Sequence, residues 1–406
     1  MIGPPLEHAW LVIERGLIAA FGRGPPPHSA AEVCDLGDAI VLPGLVNAHT
    51  HLEFSELAMP LDAAGGLPAW IGRVLAARRA RETGTGEDGA ARTVAAIRHG
   101  LAESAAGSVT TIGEIATMSA PRAYAGPGPA VRVFCEGLGL RAAASDVVAR
   151  QVVANLDRLA AAGIASGISP HAPYSVAAPL GRRLLAEAGR RRLPVAMHLL
   201  ESEAEAELLT HGTGPLRQLL EELGAWDFSA PPALLPPAEW IGRLARAPRG
   251  ILVHATHIDR DAAALARLAR HRDRLAVVVC PRTTRAISGT LPPLALLRAA
   301  GIRVAVGTDS RASNPDLSVI AECRTLVDAG LATPEEALCM ATVHGAWALG
   351  FDHRAGRLAP GRPADLAILR PTTAPSGDPL AAVLDPATVV AATLRRGRVI
   401  AGRLAG

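Results

Sequence analysis

The sequence of 406 residues contains no lysine, so all 41 of its basic residues are arginine. This absence excludes mechanisms that need a lysine amine, such as Schiff-base catalysis and the phosphate-binding P-loop. It also excludes a carbamylated lysine that bridges two metal ions. Any metal centre in this protein must therefore be built without that bridge.

Cysteine is sparse as well. A disulfide framework or a zinc site made of thiolates is not expected, because the cysteines are far apart and form no Cys-x-x-Cys pair. Such usage fits a reduced compartment, and we predict a cytoplasmic location. The five cysteines are Cys34, Cys135, Cys280, Cys323 and Cys339.

The sequence also lacks a long apolar run and an excess of one charge. No hydrophobic stretch approaches the length of a transmembrane helix. Glu7 and Glu14 interrupt the apolar residues near the N-terminus, so we expect no secretory signal. The net charge is only +3, with acidic and basic residues interspersed. We therefore predict that neither nucleic acid nor a membrane surface is a partner.

What the sequence does contain is an alternation of apolar strands with helical stretches rich in Ala, Leu and Arg. Both chain ends are instead rich in short strands, because residues 9–22 predict a hairpin and residues 356–369 and 389–400 predict further strands. The alternation between them is typical of a parallel barrel, which places the fold in the α/β class. The clearest predicted helices are residues 88–106, 145–162, 178–192, 202–223 and 260–273.

The most informative stretch is residues 41–53, in which His49 and His51 lie two apart at the end of a short apolar strand. In an extended backbone, residues two apart point to the same side. Both imidazoles therefore converge on one point, and neutral imidazole is a good ligand for zinc and for divalent iron. A strand that carries two histidines by chance is the alternative. Three further strands that end in possible ligands weaken that alternative.

Those three strands carry His198 and His254 directly after an apolar run and Asp309 shortly after one, and Glu201 follows His198 closely. Barrel enzymes carry their chemistry at the carboxyl ends of the strands. We therefore expect these side chains to meet His49 and His51 at one end of the barrel.

Together these motifs resemble the amidohydrolase superfamily, specifically its metal-dependent aminohydrolase branch of aminodeoxyfutalosine, S-adenosylhomocysteine and chlorohydrolase-like deaminases. The likeness runs from the His-x-His strand through Gly-Thr-Asp-Ser at residues 307–310 to Ala-Asp-Leu at residues 364–366. It implies a (β/α)8 TIM-type barrel over residues 43–354. It also implies a small β-sandwich domain built from residues 1–42 and 355–406.

The resemblance further implies a mononuclear metal site, in which His49, His51, His198 and Asp309 hold one divalent ion. Zinc is expected first and iron is the alternative. Such an ion lowers the pKa of a bound water towards 7. Hydrolysis of a cyclic amide or ureido bond is a further reading, but it goes with a binuclear centre, and the missing lysine counts against it.

Three catalytic roles are also carried over by resemblance. Glu201 matches the general acid/base that protonates the substrate ring, His254 matches the histidine that orients the attacking water, and Asp309 is expected to take the proton from that water. Two alternatives stay open. Glu201 could simply be an acid favoured at a helix N-terminus, and His257 could replace His254 as the functional histidine.

Substrate contacts are predicted for His171, Arg282 and Glu53. His171 resembles a family position that contacts ribose or a similar polar group, with a purely structural histidine as the alternative. Arg282 offers a guanidinium fork that suits a carboxylate, unless it is a solvated loop residue. Glu53 lies two residues beyond His51 and either reaches the substrate or caps the loop.

The implied reaction is hydrolytic deamination of a 6-aminopurine nucleoside-like aminoheterocycle, with ammonia as the leaving group. The segments at residues 280–284 and 314–315 most resemble deaminases of 6-aminodeoxyfutalosine, which act in menaquinone biosynthesis. Adenosine, S-adenosylhomocysteine, methylthioadenosine, other aminoheterocycles and chlorinated triazines are the alternatives. A catalytically dead homologue that only binds a ligand stays open as an alternative. A homodimer is expected from the resemblance to the family alone.

Overall fold

The computed structural model describes residues 4–27, 32–82, 86–118, 120–226, 234–372 and 377–404. The strands are β1 Ala9–Glu14, β2 Leu17–Arg23, β3 Ile40–Pro43, β4 Leu45–Thr50, β5 Val109–Ala116, β6 Ala130–Gly137, β7 Ala165–Pro170, β8 Val195–Leu199, β9 Gly250–His254, β10 Leu275–Val279, β11 Arg303–Val306, β12 Leu366–Arg370, β13 Val389–Arg395 and β14 Arg398–Gly402.

The helices occupy the chain between these strands. They are α1 Gly66–Glu82, α2 Gly86–Ala106, α3 Ser145–Ala161, α4 Ala178–Arg191, α5 Glu203–His211, α6 Pro215–Glu222, α7 Pro237–Leu244, α8 Ala262–Arg270, α9 Pro281–Ser288, α10 Leu294–Ala299, α11 Val319–Asp328, α12 Pro334–Cys339, α13 Gly345–Ala348 and α14 Pro379–Leu384. Within the described part of the chain, no helix is long and apolar enough to cross a membrane.

The eight strands β4 to β11 form one parallel sheet in which each strand neighbours the next along the chain. The sheet closes on itself where Thr50 and Asp309 form a parallel bridge and where Thr308 N donates to His49 O at 3.1 Å. Because all eight strands are parallel, their carboxyl ends lie at the same end of the barrel. The (β/α)8 barrel predicted from the alternation is therefore confirmed.

Alternate residues of the barrel strands face different cores, as the two-residue period requires. In β10, Ala276 and Val278 belong to a buried cluster with Phe134 from β6, which fills the barrel interior. Val277 and Val279 belong instead to the cluster that packs the strands against the outer helices. Strands buried on both faces explain why the sequence shows continuous apolar runs here.

The chain ends form two antiparallel sheets outside the barrel. One pairs β1 with β2, and the other has the order β14-β13-β12-β3. Ile18 packs in a buried cluster with Leu366 and Leu394, which joins the two sheets into the predicted small β-sandwich. The domain limits at residues 42 and 355 stay a prediction, and parts of both terminal segments lie outside the described residues.

Two features of the helices differ from the sequence prediction. The single helix predicted at residues 202–223 is wrong, because Gly212 and Gly214 have φ values of +69° and +97° and separate α5 from α6. Such left-handed conformations suit glycine and end a helix. Helix α1 was not predicted from the sequence. This helix packs against α6 and α9, which follow β8 and β10, and thus crosses the carboxyl end of the barrel.

Candidate metal centre and active site

Three imidazoles converge at the carboxyl end of the barrel. His49 is the fifth residue of β4, His51 follows that strand directly, and His198 is the fourth residue of β8. One ring nitrogen from each lies within 4.8 Å of the others, and Nε2 of His51 is 3.4 Å from Nε2 of His198. All three side chains are buried. The His-x-His strand thus brings both imidazoles to one point.

Asp309 adds a carboxylate to this group. Its Oδ1 lies 3.5 Å from Nε2 of His49 and 3.6 Å from Nε2 of His51. Its other oxygen, Oδ2, accepts a hydrogen bond from Ser313 Oγ at 2.7 Å. The serine therefore holds the carboxylate in the orientation that points Oδ1 at the imidazoles.

The four side chains fit a single divalent cation. Nε2 of His49 is buried without a hydrogen-bond partner among the described residues. Nδ1 of His198 lies 3.0 Å from the His171 carbonyl oxygen, so its Nε2 is left to face His51. Burial lowers the pKa of His49 to about 3 and lowers the pKa of His51 and His198 as well. Neutral imidazoles with one carboxylate are a donor set that binds zinc or divalent iron.

The backbone at the site is strained at three strand ends. Leu200, His254 and Asp309 have φ values of +54°, +70° and +57°, in the left-handed region that non-glycine residues rarely adopt. Such conformations cost about 1–3 kcal/mol each and persist only where surrounding contacts enforce them. Each of them turns the chain just where a candidate functional side chain must point inward.

Glu201 and His254 lie together beside the imidazoles. His254 Nε2 is 3.5 Å from Oε1 of Glu201, and the His254 ring centroid is 5.6 Å from that of His198 and 5.9 Å from that of His49. Burial, with the charges of Asp309 and Glu205, raises the pKa of Glu201 well above its usual range. Its carboxyl group therefore keeps a proton more readily than an exposed glutamate does.

His254, rather than His257, lies beside the imidazoles of His49 and His198. His257 lies one turn later, where its backbone N donates to Leu200 O at 3.0 Å. Burial is the main cause that lowers the pKa of His257. The charges that also act on this pKa are those of Arg260, Glu203 and Asp259. The geometry favours His254 for the predicted role, which stays a prediction.

Glu205 holds Glu201 in place, and the sequence analysis missed it. Its two carboxylate oxygens accept the backbone N–H groups of Leu200 at 3.0 Å and Glu201 at 2.9 Å. It lies in the first turn of α5, which Ser202 caps by accepting from Glu205 N. The Ser-x-x-Glu spacing at residues 202–205 was the available signal, since a glutamate three residues after a serine marks a helix start.

Of the three residues predicted to contact substrate, His171 lies beside the imidazoles, whereas Glu53 and Arg282 each pair with a charged residue of the protein. The His171 ring centroid is 5.0 Å from that of His198, so the structure brings it to the site. Glu53 pairs with Arg78 of α1 at 2.6 Å. Arg282 forms a fork with Asp316, at 2.6 and 3.1 Å, so its guanidinium is already engaged by a carboxylate of the protein. Its role as a substrate contact stays a prediction that this pairing does not favour.

Arg78 and Glu136 are two further residues of the site that the sequence analysis missed. Arg78 lies beside the Phe54 ring, 5.2 Å from its centroid, and its charge lowers the pKa of His51, His171 and Glu136. Glu136 ends β6, is buried, and offers a carboxylate oxygen within 4.8 Å of ring nitrogens of His171 and His198. A polar residue at the end of a barrel strand was the available signal for Glu136. None existed for Arg78.

Comparison with known protein families matches residues 40–400 to the amidohydrolase family. The chain belongs to this family. A relative in Syntrophobacter fumaroxidans, 5-methylthioadenosine/S-adenosylhomocysteine deaminase, is 31% identical over 392 residues, which cover 88% of this chain and 79% of the relative. The resemblance inferred from the motifs is thus confirmed, and the prediction of a hydrolase that acts on carbon–nitrogen bonds agrees with this relationship.

Solved structures of other proteins share the fold of this amidohydrolase. Helicobacter pylori aminofutalosine deaminase in complex with methylthio-coformycin has a TM-score of 0.81 at 24% identity, over 97% of this chain and 95% of that one. A Xanthomonas campestris adenosine deaminase with bound zinc has a TM-score of 0.69 at 24% identity, over 97% of this chain and 88% of that one. At such identities the likeness establishes the fold alone.

Proposed function

We propose that this amidohydrolase is a metal-dependent hydrolytic deaminase of a 6-aminopurine nucleoside. One observation carries the proposal: the buried imidazoles of His49, His51 and His198 and the carboxylate of Asp309 converge beside the pair formed by Glu201 and His254. This is a set of metal ligands next to a proton-transfer pair, which hydrolysis of an amidine-like carbon requires. The deaminase name of the 31% identical relative supports it.

His49, His51, His198 and Asp309 are the residues that would hold the ion. When bound there, a divalent ion would acidify water so that hydroxide is available at neutral pH. Zinc is the first candidate, since it suits three imidazoles and one carboxylate, and iron is the second. A structural neighbour that contains zinc is consistent with this order.

The protein's own residues account for the proton transfers. Glu201 would protonate the ring nitrogen next to the amino-bearing carbon, which makes that carbon more electrophilic. His254 would orient the attacking water, and Asp309 would accept its proton. A carbon–oxygen bond then forms and the carbon–nitrogen bond breaks. Asp309 would pass the proton that it took from water to the departing amine, which leaves as ammonia, and the remaining hydroxyl proton would return to Glu201, so that both carboxyl groups are restored. Glu201 Oε1 and His254 Nε2 are 3.5 Å apart. This distance allows Glu201 to act on the ring nitrogen while His254 contacts the water that attacks the neighbouring carbon.

The first candidate substrate is 6-aminodeoxyfutalosine, on the motif resemblance at residues 280–284 and 314–315. The second is methylthioadenosine or S-adenosylhomocysteine, favoured by the names of relatives at 31% and 30% identity. A carboxylate on the substrate distinguishes 6-aminodeoxyfutalosine and S-adenosylhomocysteine from methylthioadenosine. Arg78 is paired with Glu53 and Arg282 with Asp316, so a protein carboxylate already engages each of these guanidinium groups.

Ammonia release from a substrate panel by the metal-loaded protein tests the proposal. The panel holds 6-aminodeoxyfutalosine, adenosine, S-adenosylhomocysteine, methylthioadenosine and guanine. Preference for the first would link the protein to menaquinone biosynthesis, and preference for methylthioadenosine or S-adenosylhomocysteine would favour the second candidate. No ammonia from any of them, with metal bound, would overturn the proposal in favour of a dechlorinating enzyme or a ligand-binding homologue.

Glu201→Gln provides the matched test of the mechanism. It should keep the fold and the metal and lower turnover by about 100-fold or more, because it removes the group that transfers the proton. Glu203→Gln is the control, since Glu203 lies two residues away with its side chain 67% exposed. Near-normal turnover of Glu201→Gln would remove Glu201 from the mechanism. The predicted homodimer and the cytoplasmic location stay predictions.

A further inference from the structure

The carboxylate of Asp309 lies at the end of a short chain of buried hydroxyl groups. Ser313 Oγ is 2.7 Å from Asp309 Oδ2, and Thr283 Oγ1 is 2.9 Å from Ser313 Oγ. All three residues are at most 3% exposed. Thr283 is the third residue of α9, whereas Ser313 lies in the loop after β11. The hydroxyl groups therefore join the segments that follow two neighbouring barrel strands.

The direction of both hydrogen bonds follows from the chemistry of the carboxylate. A carboxylate that holds a metal ion is ionised and offers only acceptors. Two oxygen atoms 2.7 Å apart need a hydrogen between them, so Ser313 donates to Asp309. A serine hydroxyl has one hydrogen, and Ser313 must therefore accept from Thr283. The carbonyl oxygen of Ser310 lies farther from Ser313 Oγ, at 3.2 Å, and is the weaker competitor for that hydrogen.

The backbone of Asp309 is held separately from its side chain. Asp309 N donates to His49 O at 3.1 Å, and Asp309 O accepts from Thr50 Oγ1 at 2.6 Å. These bonds fix the turn, but they do not restrain rotation of the carboxyl group, whose last torsion is broad. Ser313 supplies that restraint, because it engages Oδ2 while Oδ1 lies 3.5 Å from Nε2 of His49.

We propose that Thr283 is a positioning residue for the metal ligand Asp309 and acts through Ser313. By donating to the serine oxygen, Thr283 directs the serine hydrogen at Asp309 rather than at the carbonyl oxygen of Ser310. Successive hydrogen bonds also polarise one another, which strengthens the bond to the carboxylate. Oδ1 is then presented to the ion while the protein retains Oδ2. The inference rests on the proposed function, since it takes Asp309 to be a metal ligand.

A purely structural connection between the segments after β10 and β11 is the alternative explanation. Other contacts already supply that connection, because the buried carboxylate of Glu322 accepts from Arg282 N at 2.9 Å and from Asn314 Nδ2. Loss of the Thr283 hydroxyl would leave these contacts in place. Its effect should therefore appear at Asp309 rather than in the joining of α9 to the loop.

Metal binding by the whole protein tests the inference without reference to turnover. Thr283→Val removes the hydroxyl and keeps the shape of the side chain. It should weaken the affinity for zinc by about 3- to 10-fold, the effect of one neutral hydrogen bond, and change the visible absorption spectrum of the cobalt-loaded protein. Ser313→Ala should weaken the affinity by about 10- to 100-fold. Thr283→Ser, which keeps the hydroxyl, should bind metal as the unmodified protein does.

A double variant separates action through Ser313 from a general effect on the fold. In the Ser313→Ala background, Thr283→Val should weaken the affinity by no more than about twofold further, because no serine remains to be directed. Thr284→Val is the matched control. Thr284 is the next residue, is similarly buried, and has a hydroxyl without a hydrogen-bond partner among the described residues. This control should retain both the affinity and the spectrum.

Unchanged metal affinity and an unchanged spectrum in Thr283→Val would overturn the inference. The same loss from Thr283→Val with and without Ser313 would also overturn it, since it would show a general effect on the fold. A protein that binds no divalent metal would overturn this inference and the proposed metal site together. No ammonia from the panel, with the variants ranked as expected in metal affinity, would overturn the proposed function alone.

Discussion

Replacement of Glu205 by glutamine tests whether a residue that touches no substrate sets the position of Glu201. The carboxylate of Glu205 is fully buried and accepts one N–H from Leu200 and one from Glu201. Glutamine has nearly the same shape but only one acceptor oxygen. Its amide NH2 would face one of the two backbone N–H groups, and that donor would be left buried and unpaired.

The size of the effect follows from that one lost hydrogen bond. An unpaired buried donor costs about 1–3 kcal/mol. Unfolding entropy is about 2.1 cal/mol/K per residue, so for 406 residues the same loss lowers Tm by about 1–4 °C. Leu200 holds a φ of +54°, and this strained turn relaxes when one anchor is lost. A displacement of Glu201 by about 1 Å would reduce kcat by about 100-fold.

The assay should combine calorimetric unfolding, metal content and ammonia release at pH 8.5. This pH matters because burial raises the pKa of Glu205 to about 7, so the unmodified protein then carries the ionised carboxylate with two acceptors. Glu203→Gln is the control, because its exposed carboxylate pairs with the exposed Arg260 and its loss should change stability by less than about 0.5 kcal/mol.

A Glu205→Gln protein with unchanged Tm and unchanged kcat would refute the reasoning. It would show that the turn at Leu200 and Glu201 is held by the packing of β8 and β9 rather than by the carboxylate. Loss of metal together with loss of activity would also contradict it, since Glu205 contacts neither His198 nor Asp309 directly.

Three further predictions concern the metal, the pH dependence of stability and the closure of the barrel. Asp309→Asn should lower the metal retained after dialysis against a chelator and should abolish turnover; full metal and full activity would show that the ligand assignment is wrong. Glu322 is buried, and its pKa is raised to about 8, above the value of the unfolded chain. Its contribution to stability is therefore complete below about pH 4.5 and is lost as pH rises to about 8, on the order of 5 kcal/mol. Glu322→Gln should flatten that decline in the unfolding free energy measured by denaturant titration, and an unchanged slope would contradict the assignment. A Cβ at Gly307 would lie 2.7 Å from His49 O and 2.8 Å from His49 Cβ, so Gly307→Ala should destabilise the protein by about 1–3 kcal/mol and loosen metal binding. Gly189→Ala, with open space around it, is the control, and equal Tm values for the two variants would argue against this contact.

The sequence alone determined the barrel and the place of its chemistry, because both are encoded locally. Alternating apolar runs and helical stretches predict parallel strands from neighbouring residues, and the two-residue period puts His49 and His51 on one side. Once the strands are parallel, residues that end them share one end of the barrel. That reasoning predicted His198, His254 and Asp309 at the site without any knowledge of distances.

A long helical pattern in the sequence can hide a short signal that ends the helix. Residues 202–223 carry a continuous helical pattern, yet Gly212 and Gly214 turn the chain with positive φ and split it into two helices. Gly212 is the left-handed C-cap of α5, and Pro215 is the first residue of α6. The break is therefore encoded locally by residues 212–215, and this signal was overlooked in the sequence.

Only the tertiary structure decided which polar groups meet. Arg282 was a plausible anion binder by sequence, but the fold pairs it with Asp316. The sequence did not distinguish Arg78 from the other arginines, which number 41 in all. In the structure, Arg78 pairs with Glu53 because α1 crosses the end of the barrel. Pairings of this kind depend on burial and on distances between segments far apart in the chain. Packing between distant segments decides which partner a buried charge or hydrogen-bond acceptor has. The hydrophobic periodicity of the sequence does not predict that partner.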